Sequence, residues 1–528
     1  MKLKILYLTL FLPLLACSQK NFIDIIHYKF EIELSDKSDT IYGQAEIKLK
    51  YLQSLSSFKL DLVQSTKGEG MKVLKISGNN ISSFTKGTDD ITIFLLPGIK
   101  IGDTATFTII YSGIPAEGLI ISKNRYGHRC FFSDNWPNRA HNWIPCIDDP
   151  ADKAAVEFIV TAPSHYQVIS NGLLIEETNL PDNKKLTHWK EEVPLPTKVM
   201  VIGAADFAVN YIGDVNCVPV SSWVFPENKS EGFNDFRQAK DILSFYINYI
   251  GPYPYKKLAN VQSKIIFGGM ENASAIFYSE NSVTENQQDE SLLAHEIVHQ
   301  WFGNMATEKS FAHLWLSEGF ATYFTHIYIE TKYGSDSLNK EMQQDRQEVI
   351  DFVNTSGKPV VDADTSYMEL LNANSYQKGS WVLHMLRREL GDSVFHKSIR
   401  QYYATYAGKN AGTDDLRIIF ESVSGKDLKK FFSQWLYSSV NPKLKITWKY
   451  LWKEKKIKVD IMQIQNETVF NFPINIELSL ASGKKMEKTL TVDSQTKSFS
   501  FPVSERPLKI EADPATSLLF EGTVTELK

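Results

Sequence analysis

The segment 289–304, DESLLAHEIVHQWFGN, restricts the local fold more than any other part of the sequence. At about 100° per residue of an α-helix, His295 and His299 share one face. The opposite face is an apolar stripe of Leu293, Ile297 and Trp301. Gly303 and Asn304 can end such a helix. We therefore expect a helix that buries the stripe while both imidazoles point elsewhere.

The two histidines belong to an HExxH motif, in which imidazoles one helical turn apart bind one metal ion. With 11 histidines in 528 residues, chance produces HExxH in on the order of 1% of such chains. A catalytic zinc site normally takes three protein ligands and leaves one position for water. Glu318 follows His299 after eighteen intervening residues, in the helical segment HLWLSEGFATYF. A lone glutamate is more often solvated or ion-paired, but the preceding motif favours Glu318 as the third ligand.

The types of residue in this set explain the predicted chemistry. Two neutral imidazoles and one carboxylate leave Zn²⁺ with a net positive charge, which lowers the pKa of bound water towards ~7 and polarises a carbonyl. Glu296, adjacent to a ligand in the chain, is placed to accept that proton and pass it to a leaving amine. The prediction is one zinc ion per chain, held by His295, His299 and Glu318, with Glu296 as the general base.

Hydrophobic periodicity divides the remaining chain into three parts and predicts a multidomain α+β fold. Alternation as in Tyr28, Phe30, Ile32 and Leu34 predicts an N-terminal β domain over 17–207. Helical spacing appears near residue 233 and dominates to about 440, which predicts a mainly helical catalytic domain over 208–440. Alternation returns after Asn441 and Pro442, so 441–528 is predicted to be a small C-terminal β-sandwich.

The N-terminus has the layout of a secretory signal. Lys2 and Lys4 precede an apolar run that ends at Ala16 and is too short to span a bilayer. The sequence LLAC at its end resembles a bacterial lipobox, in which cleavage exposes the cysteine for lipidation. We therefore predict removal of 1–16 and a lipid anchor at Cys17, which would place the protein in the bacterial cell envelope, facing the periplasm or the surface. A buried N-terminal helix is the alternative.

Charge and cysteine usage exclude two other classes of protein. The formal charge is −5, from 57 basic and 62 acidic residues, and no basic run suggests nucleic acid as a partner. Beyond Cys17, only Cys130, Cys146 and Cys217 remain, so at most one disulfide can form and the pairing stays open. The absence of a CxxC pair gives no support for a cysteine metal site.

Upstream of HExxH lies the segment IIFGGMENASAIFY. GGMEN followed by HExxH and the distant glutamate resembles the gluzincin aminopeptidases of peptidase family M1. The resemblance extends from the N-terminal β domain through YINYIGPYPYKKL and FFSQWLYSSVNPKL, and becomes loose in the C-terminal module. It implies a thermolysin-like catalytic domain and zinc-dependent hydrolysis of the N-terminal bond of peptides with a free amine. It also implies a substrate cradle formed by Gly268, Gly269, Met270, Glu271 and Asn272.

Three individual residues take roles from the resemblance. Glu271 would bind the free amino group of the substrate, and a charge-assisted pair there would set the first peptide bond at the zinc. Tyr376, in NSYQKGSWVLHMLRREL, matches the family's catalytic tyrosine and would donate a hydrogen bond to the oxyanion. Trp136 stands where many members carry a second amine anchor, a Gln or Glu. Asp134 or Asn135 are the possible substitutes for that anchor.

Three other functions are weighed against this one. A zinc endopeptidase on the same scaffold shares HExxH and the distant glutamate, but does not need Glu271. The epoxide-hydrolase branch of the family carries an aspartate where this chain has Met368. A catalytically silent, peptide-binding lipoprotein would not need Glu296 and Tyr376. Turnover of a free-amine reporter beside an N-blocked one separates these cases, whereas the oligomeric state and preferred N-terminal residue stay undetermined.

Overall fold

The computed structural model of the chain describes residues 22–66, 68–284 and 286–527. The predicted multidomain α+β fold is confirmed, with a β-rich N-terminal part, a helical central part and a β-rich C-terminal part. The predicted signal segment 1–16 and Cys17 lie outside the described residues. Within the described ranges, no helix has the length and apolar character needed to cross a membrane. The three domain boundaries stay predictions.

The N-terminal part consists of three sheets. Its strands are β1 (Ile23–Glu33), β2 (Ile41–Tyr51), β3 (Ser57–Asp61), β4 (Gly70–Gly78), β5 (Ile81–Lys86), β6 (Asp90–Leu95), β7 (Thr104–Ile114), β8 (Leu119–Lys123), β9 (Arg129–Ser133), β10 (Ala154–Pro163), β11 (Gln167–Ser170), β12 (Leu173–Leu180), β13 (Lys184–Leu195) and β14 (Ile202–Ala205). The sheet orders are β12-β13-β10-β1-β2-β7-β4, β3-β6-β5 and β11-β14-β9-β8. The alternating residues Tyr28, Phe30 and Ile32 are buried, as their spacing predicts.

Among the described residues, the central part combines nine α-helices with a five-stranded sheet. The helices are α1 (Lys229–Asp235), α2 (Ala239–Tyr249), α3 (Glu290–Val298), α4 (Trp315–Tyr333), α5 (Ser335–Ser356), α6 (Gly379–Leu390), α7 (Asp392–Tyr406), α8 (Thr413–Ser424) and α9 (Lys429–Leu436). The strands are β15 (Ala208–Val215), β16 (Val218–Val224), β17 (Leu258–Ser263), β18 (Gly269–Met270) and β19 (Ala275–Ser279), with the short pair β20 (Thr307–Glu308) and β21 (Asn410–Ala411).

The sheet order β15-β16-β17-β19-β18 leaves β18 at one edge. Periodicity did not predict β17 and β19 inside the helical part. Every residue of β17 is buried, so the strand lacks the alternation that marks a half-exposed strand.

Two glycines let α4 and α6 approach closely. A Cβ atom on Gly319 would lie 2.7 Å from the Cα of Gly379, so neither position has room for a side chain. The α6 helix follows a π-helical turn, Asn374–Lys378, which carries Tyr376. The contact therefore sets Tyr376 beside the first turn of α4, where Glu318 lies.

The C-terminal part forms two facing sheets, as predicted. Its strands are β22 (Lys443–Leu451), β23 (Lys456–Gln463), β24 (Phe472–Leu480), β25 (Lys485–Val492), β26 (Thr496–Pro502), β27 (Pro507–Ala512) and β28 (Glu521–Glu526), in the orders β26-β23-β22-β28 and β25-β24-β27. The sandwich is tied to α5 because Arg346 donates to Asp513 at 2.6 Å and to the Leu518 carbonyl at 2.8 Å.

No disulfide joins Cys130, Cys146 and Cys217 to one another. Cys130 and Cys146 are buried in the N-terminal part, whereas Cys217 is exposed.

Candidate active site

Helices α3 and α4 bring His295, His299 and Glu318 together. The two Nε2 atoms lie 3.1 Å apart, and each is 3.3 Å from Oε2 of Glu318. Four bonds of 2.0–2.1 Å in a tetrahedron separate neighbouring ligand atoms by about 3.3 Å, so this spacing suits one zinc ion. The three predicted ligands thus form a cluster with the right donor types and separations for a metal.

The orientation of His299 leaves its Nε2 lone pair directed at this cluster. Its Nδ1 lies 3.1 Å from the carbonyl oxygen of Phe302 and 3.1 Å from Oγ of Ser317. The carbonyl can only accept, so Nδ1 carries the proton of the neutral ring. Such a bond fixes the tautomer and raises the basicity of a metal-binding imidazole. Ser317, next to a ligand in the sequence, has this supporting contact.

Glu318 is almost completely buried at the centre of the cluster. Burial alone would raise the pKa of this carboxyl group, but the imidazoles of His299 and His295 lower it well below its usual value. The carboxylate is therefore ionised, and when both rings are neutral, as metal binding requires, three acceptor atoms lie at hydrogen-bond distances from one another. A cation between them would satisfy all three atoms together.

Glu296 lies beside the cluster and against the backbone of β18. A Cβ atom on Gly269 would come within 2.6 Å of Cγ of Glu296, so a side chain at this position would displace Glu296 from where it lies. Burial raises the pKa of Glu296 well above its usual range; the charges of Glu271 and Glu318 act in the same direction, and His299 opposes them. A carboxylate in such surroundings is a better proton acceptor than an exposed one.

Tyr376 reaches the cluster from the π-helical turn before α6. Its ring lies 6.0 Å from the ring of His295, centroid to centroid, with 15° between the planes. Burial, followed by the negative charges of Glu318, Glu271 and Glu296, raises the pKa of Tyr376 well above its usual value. The hydroxyl therefore keeps its proton and is available as a donor.

The edge strand β18 and the residues after it form the predicted cradle. The carbonyl oxygen of Glu271 accepts hydrogen bonds from Gln300 at 2.8 Å and from Asn304 at 2.6 Å. These bonds fix the backbone of Glu271 to the segment just after α3. Its side chain is 4% exposed, and Oε1 has no hydrogen-bond partner among the described residues. A buried carboxylate without a partner is costly unless a ligand supplies one.

The loop that carries Trp136 contributes this side chain to the wall of the same cavity. The Trp136 ring packs edge-to-face on Phe267 at 6.2 Å and on Phe311 at 5.8 Å. The Asn135 side chain is occupied with two backbone carbonyls and the Trp143 indole, and Asp134 accepts from Arg139. Of the three loop positions considered for the second amine contact, the one that lines the site is Trp136.

One cavity of about 410 Å³ contains all these groups. Its walls are formed by Trp136, Phe267, Gly268, Gly269, Met270, Glu271, Ser291, Leu292, His295, Glu296, His299, Glu318, Thr322, Thr325, His326, Leu371 and Tyr376. Every predicted site residue inside the described ranges lines it except Asn272, which is buried behind the cradle.

Sequence reasoning missed two kinds of residue in this site. The first kind is Gln300 and Asn304, which hydrogen-bond to the cradle. Both lie in the segment HQWFGN, and their proximity to HExxH was the one signal in the sequence for a role in the site. The helix ends earlier than the expected end at Gly303 and Asn304: α3 stops at Val298, with His299 as its C-cap. The turn after His299 is what points Gln300 and Asn304 towards Glu271. The α4 residues beyond Glu318 carried no motif.

The comparisons with known proteins agree with this architecture. Residues 25–199 match the peptidase M1 N-terminal domain, and residues 235–435 match the peptidase family M1 domain. Legionella pneumophila aminopeptidase A, solved in complex with aspartic acid, has the same fold, with a TM-score of 0.81 at 19% identity. That superposition covers 95% of this chain and 59% of the other. The two domain matches together exceed half of the chain, which therefore belongs to peptidase family M1.

Two curated relatives illustrate the extent of the similarity. Aminopeptidase M1-C of Oryza sativa subsp. japonica is 30% identical over 331 residues, which cover 58% of this chain and 37% of that protein. Probable aminopeptidase 2 of Sulfurisphaera tokodaii is 29% identical over 437 residues, covering 77% of this chain and 53% of that protein. The chain thus spans about half, or less, of the length of these relatives.

The cluster predicts how metal content responds to substitution. His295→Ala, His299→Ala and Glu318→Ala should each lower zinc content below one ion per chain, because each removes a ligand. Glu296→Gln removes the base but no ligand, so it should keep zinc and lose most of its kcat. Metal analysis and turnover of the purified proteins measure both effects. His165→Ala, at an exposed histidine outside the site, is the control. Full activity in a metal-free preparation would contradict the prediction.

Proposed function

We propose that the protein is a zinc aminopeptidase that hydrolyses the N-terminal bond of peptides with a free amine. One observation carries the proposal: Glu271, a buried carboxylate with an unpaired oxygen, shares a cavity with the cluster of His295, His299 and Glu318. A group that recognises an ammonium ion next to a group that binds a metal is what selective removal of the first residue requires. Family membership supports the same reading.

Three side chains and the metal that the cluster would hold divide the work in this mechanism. Zinc bound at the cluster would polarise the scissile carbonyl and make water a stronger acid. Glu296 accepts the proton of the attacking water and delivers it to the nitrogen of the leaving amine. Tyr376 donates a hydrogen bond to the carbonyl oxygen as negative charge develops there. Glu271 pairs with the N-terminal ammonium group and so limits the chain length on that side of the scissile bond to one residue.

The two alternatives fit the site less well. A zinc endopeptidase needs no ammonium-binding group beside the metal cluster, whereas Glu271 presents a buried carboxylate with an unpaired oxygen in the same cavity. A silent peptide-binding lipoprotein would gain nothing from a glycine that makes room for Glu296.

The role of Glu271 predicts discrimination between free and blocked substrates. An acetyl group removes the positive charge of the amine and adds bulk, so acetylated peptides should be very poor substrates. Glu271→Ala should lower kcat/KM for free-amine reporters by at least the ~2 kcal/mol of a charge-assisted contact. Glu271→Gln, which keeps the shape but not the charge, should lose nearly as much. Steady-state kinetics on free and acetylated forms of the same peptide measure this discrimination. Internal cleavage of acetylated peptides as fast as the trimming of free peptides would contradict the proposal and favour the endopeptidase.

The role of Tyr376 predicts a change in kcat. Tyr376→Phe removes one donor to the developing charge and should cost about 2.7 to 4 kcal/mol in kcat, with little change in KM. Tyr367→Phe is the matched control, since Tyr367 is exposed and lies outside the cavity. A Tyr376→Phe variant with kcat near that of the control would assign oxyanion stabilisation to another residue.

We also propose that the protein is a lipoprotein of the bacterial cell envelope, anchored to the membrane at Cys17. The support is the order of Lys2, Lys4, an apolar run and LLAC in the sequence. A diacyl chain adds about 0.8 kcal/mol of membrane affinity per buried CH₂ group, so lipidation would give stable anchoring.

Lipidation at Cys17 has a direct test. Wild-type protein expressed in a bacterium should partition with membranes, and Cys17→Ser should acquire no lipid. The Cys217→Ser variant controls for loss of an exposed thiol, and it should still partition with membranes. Mass spectrometry of the N-terminal peptide measures the modification. An unmodified Cys17 within an intact N-terminus would refute the lipid anchor.

A further inference from the structure

His326 is a polar residue of the cavity that the proposed mechanism does not use. It lies on α4, two turns beyond Glu318, and is 6% exposed. Its Nε2 lies 2.9 Å from Oδ2 of Asp345 on α5. Its Nδ1 is buried and has no hydrogen-bond partner in the described part of the chain. A buried nitrogen without a hydrogen-bond partner costs stability unless a ligand supplies one.

Contacts at the C-terminal end of α3 locate Glu271 within the cavity. The carbonyl of Glu271 is bonded by Gln300 and Asn304, which both follow His299 in the sequence. Glu271 therefore lies beyond the His299 side of the metal cluster.

Contacts at the N-terminal end of α3 locate His326. The Tyr328 hydroxyl donates to Glu290 at 2.7 Å, so the start of α3 lies beside the second half of α4. Ser291 and Leu292 line the cavity at this end, together with Thr325 and His326. The metal cluster thus separates His326 from Glu271.

The cradle strand β18 extends between the same two ends of the cavity. Gly268 lies next to Leu292, since a Cβ atom there would be 3.9 Å from Leu292 Cδ1, and Gly269 lies against Glu296. The strand passes from the Leu292 end of the cavity to the Glu271 end. A peptide with its amine at Glu271 and its first carbonyl at the metal cluster must extend its remaining residues along the strand towards His326.

We propose that His326 is a specificity-determining contact for the part of the substrate that is released. The Asp345 carboxylate can only accept, so Nε2 of His326 carries the proton and Nδ1 of the neutral ring is an acceptor. The ligand group that this atom fits is a peptide N–H beyond the scissile bond, which a tripeptide has and a simple aryl amide lacks. The inference rests on the proposed aminopeptidase function and adds a preference for true peptides.

Two substitutions separate the two nitrogen atoms of His326. The amide of glutamine reaches the position of Nε2, so His326→Gln keeps a contact with Asp345 and loses the acceptor at Nδ1. The amide of asparagine lies where Nδ1 is, so His326→Asn keeps an acceptor for substrate and loses the contact with Asp345. If His326 has a purely structural role, His326→Asn should lower activity more than His326→Gln. If His326 contacts the substrate, His326→Gln should lower activity on peptides more.

The test compares Leu-Gly-Gly with leucyl p-nitroanilide as substrates of the full-length zinc-loaded protein. For His326→Gln, the ratio of kcat/KM on the tripeptide to that on the anilide should fall about fivefold to tenfold, as for one lost hydrogen bond. For His326→Asn, the ratio should stay within about twofold of the wild type. An unchanged ratio in His326→Gln, or an equal fall in both variants, would overturn the inference and leave the aminopeptidase intact. A wild type that cleaves neither substrate would overturn the proposed function, and this inference with it.

Discussion

The site depends on an excess of buried negative charge. Glu271, Glu296 and Glu318 are each at most 5% exposed and line one cavity, although desolvation of a carboxylate is costly. Neutral imidazoles cannot offset three such charges, whereas a divalent cation at the cluster and an ammonium group at Glu271 would. Burial, and then the charges of neighbouring carboxylates, raise the pKa values of Glu296 and Tyr376. The proposed metal ion and substrate amine would therefore supply the counter-charges of this cavity.

Close backbone packing holds this charge in place. Gly319 and Gly379 let α4 and α6 touch, which brings Tyr376 to Glu318, and Gly269 lets β18 touch Glu296. Gln300 and Asn304 then tie the Glu271 backbone to the turn after α3. Glycines at close contacts and side chains that hydrogen-bond to the backbone thus position the residues of the site, as a preorganised site requires.

The sequence predicted that these residues lie close together where residue type and spacing both carry information. HExxH and the separation of Glu318 fix a metal cluster because few other arrangements need those residues at those distances. The strands β17 and β19 escaped prediction because their residues are buried on both faces and do not alternate. The pair of His326 and Asp345 escaped it because two helices create the contact, and no local pattern marks either residue.

The attachment of the C-terminal sandwich has a consequence for the cavity. Arg346, which binds Asp513 and the Leu518 carbonyl of the sandwich, directly follows Asp345, which holds His326. Adjacent residues of α5 therefore contact two different parts of the protein: Asp345 contacts the cavity wall through His326, and Arg346 contacts the sandwich. The C-terminal sandwich therefore stabilises the part of α5 that supports the cavity wall. A truncation that removes the sandwich would weaken this wall as well.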